Sequence, residues 1–469
     1  MANLVQSDQK INTHMKKIVL LVLVFAFSFS FSGVHAQELW NLENCITHAK
    51  EHNINLKLQK LDADVQANNT KQSKLDLLPS LSGSSNYNFN YGRTLNANNT
   101  YSDQNSESGS FSLSSNMTLF NGFQKWNTLK QNELDLKANL QDVEKAKEDL
   151  ALNITSYFLD ILFKKELLQV AHEQLKVTEL QIQRTEVLVE AGTLPRGTLM
   201  EQKAQAARED LAVVNAQNSL DIALLDLAQL LDLEDTQAFD IQTPELPVLN
   251  ATRSMADPES VFINALTFRP EMKAAKYRME SSEKGLTIAK GQRYPSFYMY
   301  GSWGSSYSND YPEYGFDTDG VATIIRQEMK LNDQLSNRKR KAFGFQLDIP
   351  IFNGGTVNRN ISNAKINIDR SRLNMENSKN ILRKDIQQAH ANAKAAMKKF
   401  FSSETAVSST EEAFRYTEEK FNLGLVNSVD YNQEKNNLFK SKSDLLQAKY
   451  EYIFRTKILD FYNGIEISL

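Results

Sequence analysis

Phe111–Phe123 reads FSLSSNMTLFNGF, and Phe343–Gly355 reads FGFQLDIPIFNGG. In the first stretch Phe111, Leu113, Met117 and Leu119 fall on one side of an extended chain, and Ser112, Ser114, Asn116 and Thr118 on the other. In the second, Phe343, Phe345, Leu347, Ile349 and Ile351 make an apolar row, with Gly344, Gln346 and Asp348 opposite. Successive side chains of a strand point to opposite faces, so each stretch predicts a strand with one apolar and one polar face. About ten residues of this alternation is also the length and pattern of a strand that crosses a membrane in a barrel. Each stretch ends in Phe-Asn-Gly and opens into a very long helical pattern.

Upstream of the first stretch, Asn41–Leu77 has helical spacing and stops at Leu78-Pro79, where the proline pushes the preceding residue out of the helical region. Ser80–Arg93 follows as a strand. Within it, Asn86-Tyr87-Asn88-Phe89-Asn90-Tyr91 alternates asparagine and aromatic, an aromatic face that suits the interface girdle of an outer-membrane barrel. A soluble amphipathic strand would carry the same alternation. Thr94–Ser108 is polar and rich in Asn and Ser, and predicts a loop.

Downstream, Phe123 to Glu190 contains neither proline nor glycine. Apolar residues recur at multiples of seven through Trp126, Leu140, Ile154, Ile161, Leu168, Leu175, Ile182 and Val189, with a second series at Leu129, Leu136, Val143, Leu150 and Tyr157. That is a coiled-coil seam, and a helix of roughly 68 residues at about 1.5 Å each is on the order of 100 Å long. Ala191–Gly197 (AGTLPRG) breaks it, Thr198 is placed to cap a second helix to about Leu231, and Asp232–Asp257, with Pro244 and Pro247, is an irregular connection.

The pattern then restarts. Ala265–Lys273 matches Ala49–Lys57 and Pro295 matches Pro79 at a shift of 216 residues, while Phe343 matches Phe111 and Gly424 matches Gly192 at a shift of 232. The additional residues fall in the loop region Asn309–Lys341. The seam returns at Ile361, Ile368, Met375 and Leu382, and at Ile386, Phe400, Val407, Phe414 and Phe421. The chain is a tandem duplication: residues 37–250 form a first repeat with strands about 81–93 and 111–120, and residues 251–469 a second with strands about 296–308 and 343–352.

The chain has 469 residues, a net charge of −4 and a single cysteine, Cys45. This gives no basic surface for nucleic acid, no disulfide framework and no cysteine zinc site. Residues 1–36 read as an export signal: Lys16 and Lys17, an apolar core Ile18–Phe31, and Val34-His35-Ala36 before a mature start at Gln37, with Met15 as an alternative initiator. A membrane anchor helix is the other reading, but the apolar run is short for a span. Leu42-Glu43-Asn44 before Cys45 lacks the small residues of a lipidation site. Beyond the signal no stretch of 18 apolar residues occurs, so any membrane crossing falls to strands. Two repeats supply about four strands, too few to close a barrel, which takes about eight, so such a chain must assemble with its own copies.

The duplicated helix–strand–strand–helix unit, the strand ends Leu119-Phe120-Asn121-Gly122 and Ile351-Phe352-Asn353-Gly354, the prolines Pro79 and Pro295, and the turn Asn422–Asp430 together resemble the TolC-like outer membrane efflux proteins over essentially the whole mature chain. The resemblance implies a mainly α fold with a membrane β-barrel portion: a homotrimer sharing one 12-stranded β-barrel, continued by a periplasmic α-helical barrel. It implies location in the cell outer membrane with the helical barrel in the periplasm. It also implies a periplasmic adaptor protein and an inner-membrane transporter, proton-driven pump or ATP-driven exporter, docking on the lower end. The turns Ala191–Gly197 and Asn422–Ser428 would then be the periplasmic tip, and the loops at Thr94–Ser108 and Asn309–Lys341 extracellular.

On that resemblance Asp430 takes the place of an acidic residue at the channel's narrowest point, where three copies would make a ring favouring cations. The next acidic position of the family is Gln433 here, which weakens the expectation of strong cation block. Thr198 and Glu201 hold the equivalent places in the first repeat. An acid at a helix start is also ordinary dipole chemistry. Adaptor docking would use Gly192, Thr193, Gly424 and Leu425, although glycines there also simply end helices.

His48-Ala49-Lys50-Glu51-His52 spells the inverted zinc-protease signature, but the second repeat has Asn264 and Phe268 at the two histidine places, and the remaining mature histidines, His172 and His390, lie deep in the long helices. No catalytic arrangement, metal site or cofactor fingerprint is expected. Arg338-Lys339-Arg340-Lys341 is a basic run that would meet anionic lipid at the outer surface or end a solvated loop. The sequence therefore reads as a passive exit duct for small toxic compounds. The alternatives are the exit duct of an ATP-driven type I protein or peptide secretion system, or a secreted coiled-coil scaffold.

Overall fold

The computed structural model describes residues 39–468, apart from 96–98, 104, 235, 237–238, 246–248, 250–254, 310–312, 317 and 327–328. The export signal read over residues 1–36, and Pro247 of the irregular connection, lie outside the described residues. In chain order the elements are α1 (Leu42–His52), α2 (Ile54–Leu75), β1 (Ser80–Asn90), β2 (Arg93–Leu95), β3 (Tyr101–Asp103), β4 (Ser106–Asn121), α3 (Gln124–Glu190) and α4 (Arg196–Leu230). The second repeat continues with α5 (Pro258–Phe268), α6 (Pro270–Gly291), β5 (Ser296–Ser308), β6 (Glu313–Phe316), β7 (Ala322–Arg326), α7 (Leu331–Asn337), β8 (Arg340–Asp348), α8 (Thr356–Asn422) and α9 (Ser428–Tyr462). The chain divides into two compact units that do not follow the repeats. One holds the segment up to Thr47 and Tyr157–Val248; the other holds His48–Ser156 and Leu249–Ser468.

The single helix expected over Asn41–Leu77 is broken at Asn53. The Asn53 side-chain oxygen accepts from the Leu56 N–H at 3.1 Å and so caps a fresh helix start. The second repeat breaks at the matching place, Arg269, where Pro270 occupies the first position of α6 without wasting an N–H. Thr198 does not cap α4: the helix starts from Pro195, and Thr198 already sits in the first turn, its N–H bonded to the Pro195 carbonyl.

The larger unit carries a four-stranded antiparallel sheet in the order β1-β4-β5-β8. Three of its strands differ in extent from the sequence reading, while β5 spans 296–308 as expected. β1 stops at Asn90, ahead of Gly92 at φ +112°. β4 begins at Ser106, because Ser106–Ser110 pairs with Asn86–Asn90. β8 ends at Asp348, ahead of Pro350, which has no N–H to give a ladder. The connections expected as loops contain the hairpins β2–β3 and β6–β7 and the short helix α7.

β5 outruns its neighbour, since its last pair with β8 is Gly304 with Arg340. Gln334 of α7 meets the bare edge beyond: its Oε1 accepts from Ser308 N at 3.0 Å and its Nε2 donates to Ser308 O at 2.8 Å. A fully buried side-chain amide thus substitutes for a strand residue. The outer edges of β1 and β8 pair with nothing among the described residues.

Below the sheet, Val261, Phe262 and Ala265 of α5, Met272 of α6, and Leu382 and Ile386 of α8 form a buried cluster. Against it Arg269, 3 % exposed, lies 2.9 Å from Glu148 Oε2 in an ion pair whose angle makes no hydrogen bond. Its Nε donates to Glu271 Oε1 at 3.0 Å, and its guanidinium stacks 4.3 Å from the Phe461 ring. The heptad seam is only partly internal: Leu129, Val143 and Leu150 are buried, while Trp126 is 53 % exposed and Leu140 48 %. In the same unit α8 keeps Ile366 and Leu373 exposed at heptad spacing, and in the other unit α4 exposes Leu211, Val214, Ile222 and Leu225 while burying Leu199, Leu220 and Leu227. Helices with two apolar stripes have more to bury than one chain covers.

Candidate functional site

Strand register decides what each face of the sheet carries. Opposed residues of an antiparallel pair share a face, so Leu81, Tyr87 and Phe89 of β1, Phe111 and Leu113 of β4, Met299, Trp303 and Tyr307 of β5, and Phe343, Phe345 and Leu347 of β8 form one apolar surface. It is left open: Phe343 is 68 % exposed and Leu347 58 %. Ring contacts run along it, with Phe111 edge-on to Trp303 at 5.6 Å and Phe297 stacked on Phe345 at 5.6 Å. Leu119, expected in this row, is the extra residue of a bulge between Thr118 and Phe120, and Phe120 takes the place opposite Phe297.

The opposite face is built of serine, asparagine and tyrosine. Ser82 and Ser84 pair through their hydroxyls with Ser114 and Ser112, each at 2.8 Å, and Ser110 bonds Asn86. At the helix end of the sheet this face closes over a cavity that touches all four strands, through Ser80, Asn116, Thr118, Tyr298, Tyr300, Gln346 and Asp348, and the ends of α2 and α3. A wall that is polar on one side and apolar and exposed on the other is what a barrel needs between water and lipid.

Two glycine–tyrosine pairs shape the faces. A Cβ on Gly344 would come within 2.6 Å of Tyr300 Oη on the polar side, and one on Gly109 within 2.9 Å of the Tyr87 ring on the apolar side. Each tyrosine lies across the bare backbone of the next strand. Tyr298 and Tyr300 escaped the sequence reading, because only register shows that two aromatics of β5 share the polar row with Gly344 and Gln346.

The helical tips are two separate turns. In the second, Gly424 takes φ +74°, the left-handed conformation that favours glycine, and Leu425 is exposed. Asn427 caps α9 by accepting from Asp430 N at 2.9 Å, and Asp430 and Gln433 are both exposed on the first turns of the helix. Gln433 Nε2 reaches Asn437 Oδ1 at 3.1 Å. Behind them the hairpin is aromatic: Tyr431 is buried between Phe414 at 5.4 Å and Phe421 at 4.7 Å. In the first turn Gly192 also takes φ +74°, and Thr193 donates its hydroxyl to Leu188 O at 2.7 Å. Thr198 is half-buried there and Glu201 exposed.

Behind the first turn the hairpin is polar. Glu209, 4 % exposed, accepts from Gln174, from Gln205 at 2.8 Å and from Thr178. One heptad nearer the turn, Thr185 and Gln202 are both fully buried, and neither the Thr185 hydroxyl nor either end of the Gln202 amide has a hydrogen-bond partner among the described residues. The heptad spacing Thr178–Thr185 and Gln202–Glu209 was visible in the sequence and carries this layer.

His48 and His52 share a helix face with rings stacked at 4.2 Å, and among the described residues no group of three or more His, Cys, Asp or Glu is placed to hold a metal ion. Cys45 is buried, which pushes its thiol up to about 12. Lys339, Arg340 and Lys341 are exposed at the outer start of β8. Among the described residues no helix is long and apolar enough to cross a membrane.

These features coincide with a known family. The sequence profile of the family described as Outer membrane efflux protein matches residues 45–232 and 262–459, one match per repeat. The chain is 24 % identical to Outer membrane protein TolC of Escherichia coli (strain K12) over 424 residues, covering 88 % of this chain and 80 % of that protein. It is 19 % identical to Outer membrane efflux protein BepC of Brucella suis biovar 1 (strain 1330), covering 88 % and 82 %. The solved structure of the outer membrane protein VceC from Vibrio cholerae superposes with a TM-score of 0.73 at 16 % identity, covering 91 % of this chain and 97 % of that one. With a two-faced strand wall, paired helical hairpins and a family match in each repeat, the chain belongs to the Outer membrane efflux protein family and is a channel protein of the outer membrane.

Proposed function

We propose that three copies of this chain form one passive duct, which exports small toxic compounds received from an inner-membrane pump through a periplasmic adaptor protein. The observation that carries the assembly is the sheet: four strands, an exposed apolar face and two unpaired edges. Unpaired backbone groups in lipid cost several kcal/mol each, so the edges must meet strands of other copies. Three copies give twelve strands, and the exposed second stripes on α4 and α8 give the helices matching partners. The duct performs no chemistry; its energy comes from the pump.

In this assembly the acidic Asp430, with Gln433 beside it and Thr198 and Glu201 at the first turn, rings the narrowest point. The exposed turns at Gly192, Thr193, Gly424 and Leu425 receive the adaptor. The description of the family, and of BepC within it, as an efflux protein supports small-molecule export. The test is cross-linking in intact cells, then detergent extraction, pull-down and mass spectrometry. Recovery of a proton-driven pump with its adaptor supports the reading. Recovery of an ATP-driven exporter moves it to type I polypeptide secretion. Release from membranes by salt alone, with neither partner recovered, returns it to a coiled-coil scaffold.

A further inference from the structure

We infer that the cavity on the polar face, where the sheet meets the helices, is a resting site for organic cations that carry an aromatic group. The inference rests on the duct reading, which makes this face the wall of the pore. Its ingredients are two tyrosine rings and two held carboxylates. Tyr298 stands opposite Gln346 and Tyr300 opposite Gly344, so both tyrosines share the polar row with Asp348. Tyr298 and Asp348 are diagonal neighbours across β5 and β8, a spacing of about 7–8 Å between backbones. Tyr300 lies over Gly344, where a side chain would collide with its hydroxyl, and this turns the ring across the strand.

The carboxylates are fixed and accessible. Gln346 Nε2 donates to both Asp348 oxygens, at 2.9 and 3.2 Å, holding the carboxylate while its outer side stays exposed. Asp76, at the end of α2, accepts from Gln72 Nε2 at 2.6 Å. The cation lining the cavity, Lys125, has its amine on the Asp76 main-chain carbonyl at 2.5 Å, so it serves the helix end and not a carboxylate. Two carboxylates against one committed ammonium leave the cavity anionic. A flat cation gains from lying on a tyrosine face with its charge toward a carboxylate. A neutral or anionic aromatic lacks the second half of that gain. The cavity sits beyond the helices, so it would select compounds near the end of their passage, far from the tips.

The test uses the purified full-length assembly in planar lipid bilayers. Tetraphenylphosphonium is added as the blocking probe and 1,5-naphthalenedisulfonate as an aromatic anion. The expected result is block by the cation only, with the half-blocking concentration raised roughly threefold to tenfold by Asp348→Asn and by Tyr298→Leu or Tyr300→Leu. Tyr298→Phe and Tyr300→Phe keep the ring and should keep the block. Block unchanged in Asp348→Asn and both leucine variants, each with normal conductance, overturns the inference while leaving the duct intact. Block lost in Asp430→Asn but not in Asp348→Asn overturns it by placing the cation at the tip. Absence of any conductance in the unaltered assembly overturns the duct reading itself.

Discussion

Arg269→Ala should loosen the junction between α5, α6 and the first half of α3 in a way that depends on pH. Removing the guanidinium leaves Glu148 beside a hydrophobic cluster without its counter-charge. Breaking a fully buried pair costs about 3–5 kcal/mol, but the Glu148 side chain keeps 35 % of its exposure, so solvent screening reduces this to about 2 kcal/mol. Loss of the stack on Phe461 adds about 1 kcal/mol, for about 3 kcal/mol in all.

Burial already raises the Glu148 carboxyl above its ordinary value of 4.5, and Arg269 is the charge that opposes this, while Glu271, Asp149 and Glu144 push the same way as burial. Without Arg269 the folded-state value climbs further. A carboxyl that binds its proton more tightly folded than unfolded loses stability as pH rises through the window between the two values, and regains it on acidification. The deficit of Arg269→Ala should therefore be largest at neutral pH and shrink as pH falls toward 4.5. Denaturant unfolding in detergent, followed by circular dichroism at several pH values, reads this directly. A cycle with Glu148→Gln isolates the pair, because the double variant should recover more than about 1 kcal/mol. A deficit independent of pH, or a coupling under about 0.5 kcal/mol, would refute the reasoning.

Asp430→Ala should raise single-channel conductance or relieve divalent-cation block, and unchanged values in both would remove Asp430 from the constriction. Thr185→Val with Gln202→Leu should stabilise the first hairpin by about 1–3 kcal/mol, since two buried polar groups without partners disappear. Slower amide hydrogen exchange over residues 186–201 would show it, and exchange as fast as in the unaltered chain would mean those groups are satisfied in the assembly.

Much of this was legible in the sequence because one rule repeats twice. Period-two alternation placed Phe343, Phe345 and Leu347 on one face, and β5 was read to its ends. Freedom from Gly and Pro gave the long helices. What failed were local competitions that pattern does not reveal. Asn53 fits a helix face as well as a cap, and only the bond to Leu56 N shows which it chose. Thr198 has a good capping side chain, but Pro195 begins the turn earlier. Leu119 obeys the alternation, yet the bulge hands its place to Phe120. The polar-face tyrosines needed register, a fact about two strands at once. Trp126 and Leu140 fit the heptad series and are still exposed, because heptad spacing says that a residue wants a neighbour but not which chain provides it.

The tyrosines that lie across Gly344 and Gly109 bind two positions into one heritable unit. A larger residue at Gly344 alone strikes the Tyr300 hydroxyl, and a smaller residue at Tyr300 alone uncovers a strip of bare backbone on the pore side. Either single step passes through a defect, whereas exchange of both keeps the surface filled. Descendants of this chain should therefore alter the two sites together, or reverse them with the ring on β8 and the glycine on β5. The same linkage should hold for Tyr87 and Gly109 on the lipid side. Drift in this wall would then proceed by pairs, and more slowly than along the serine rows beside it.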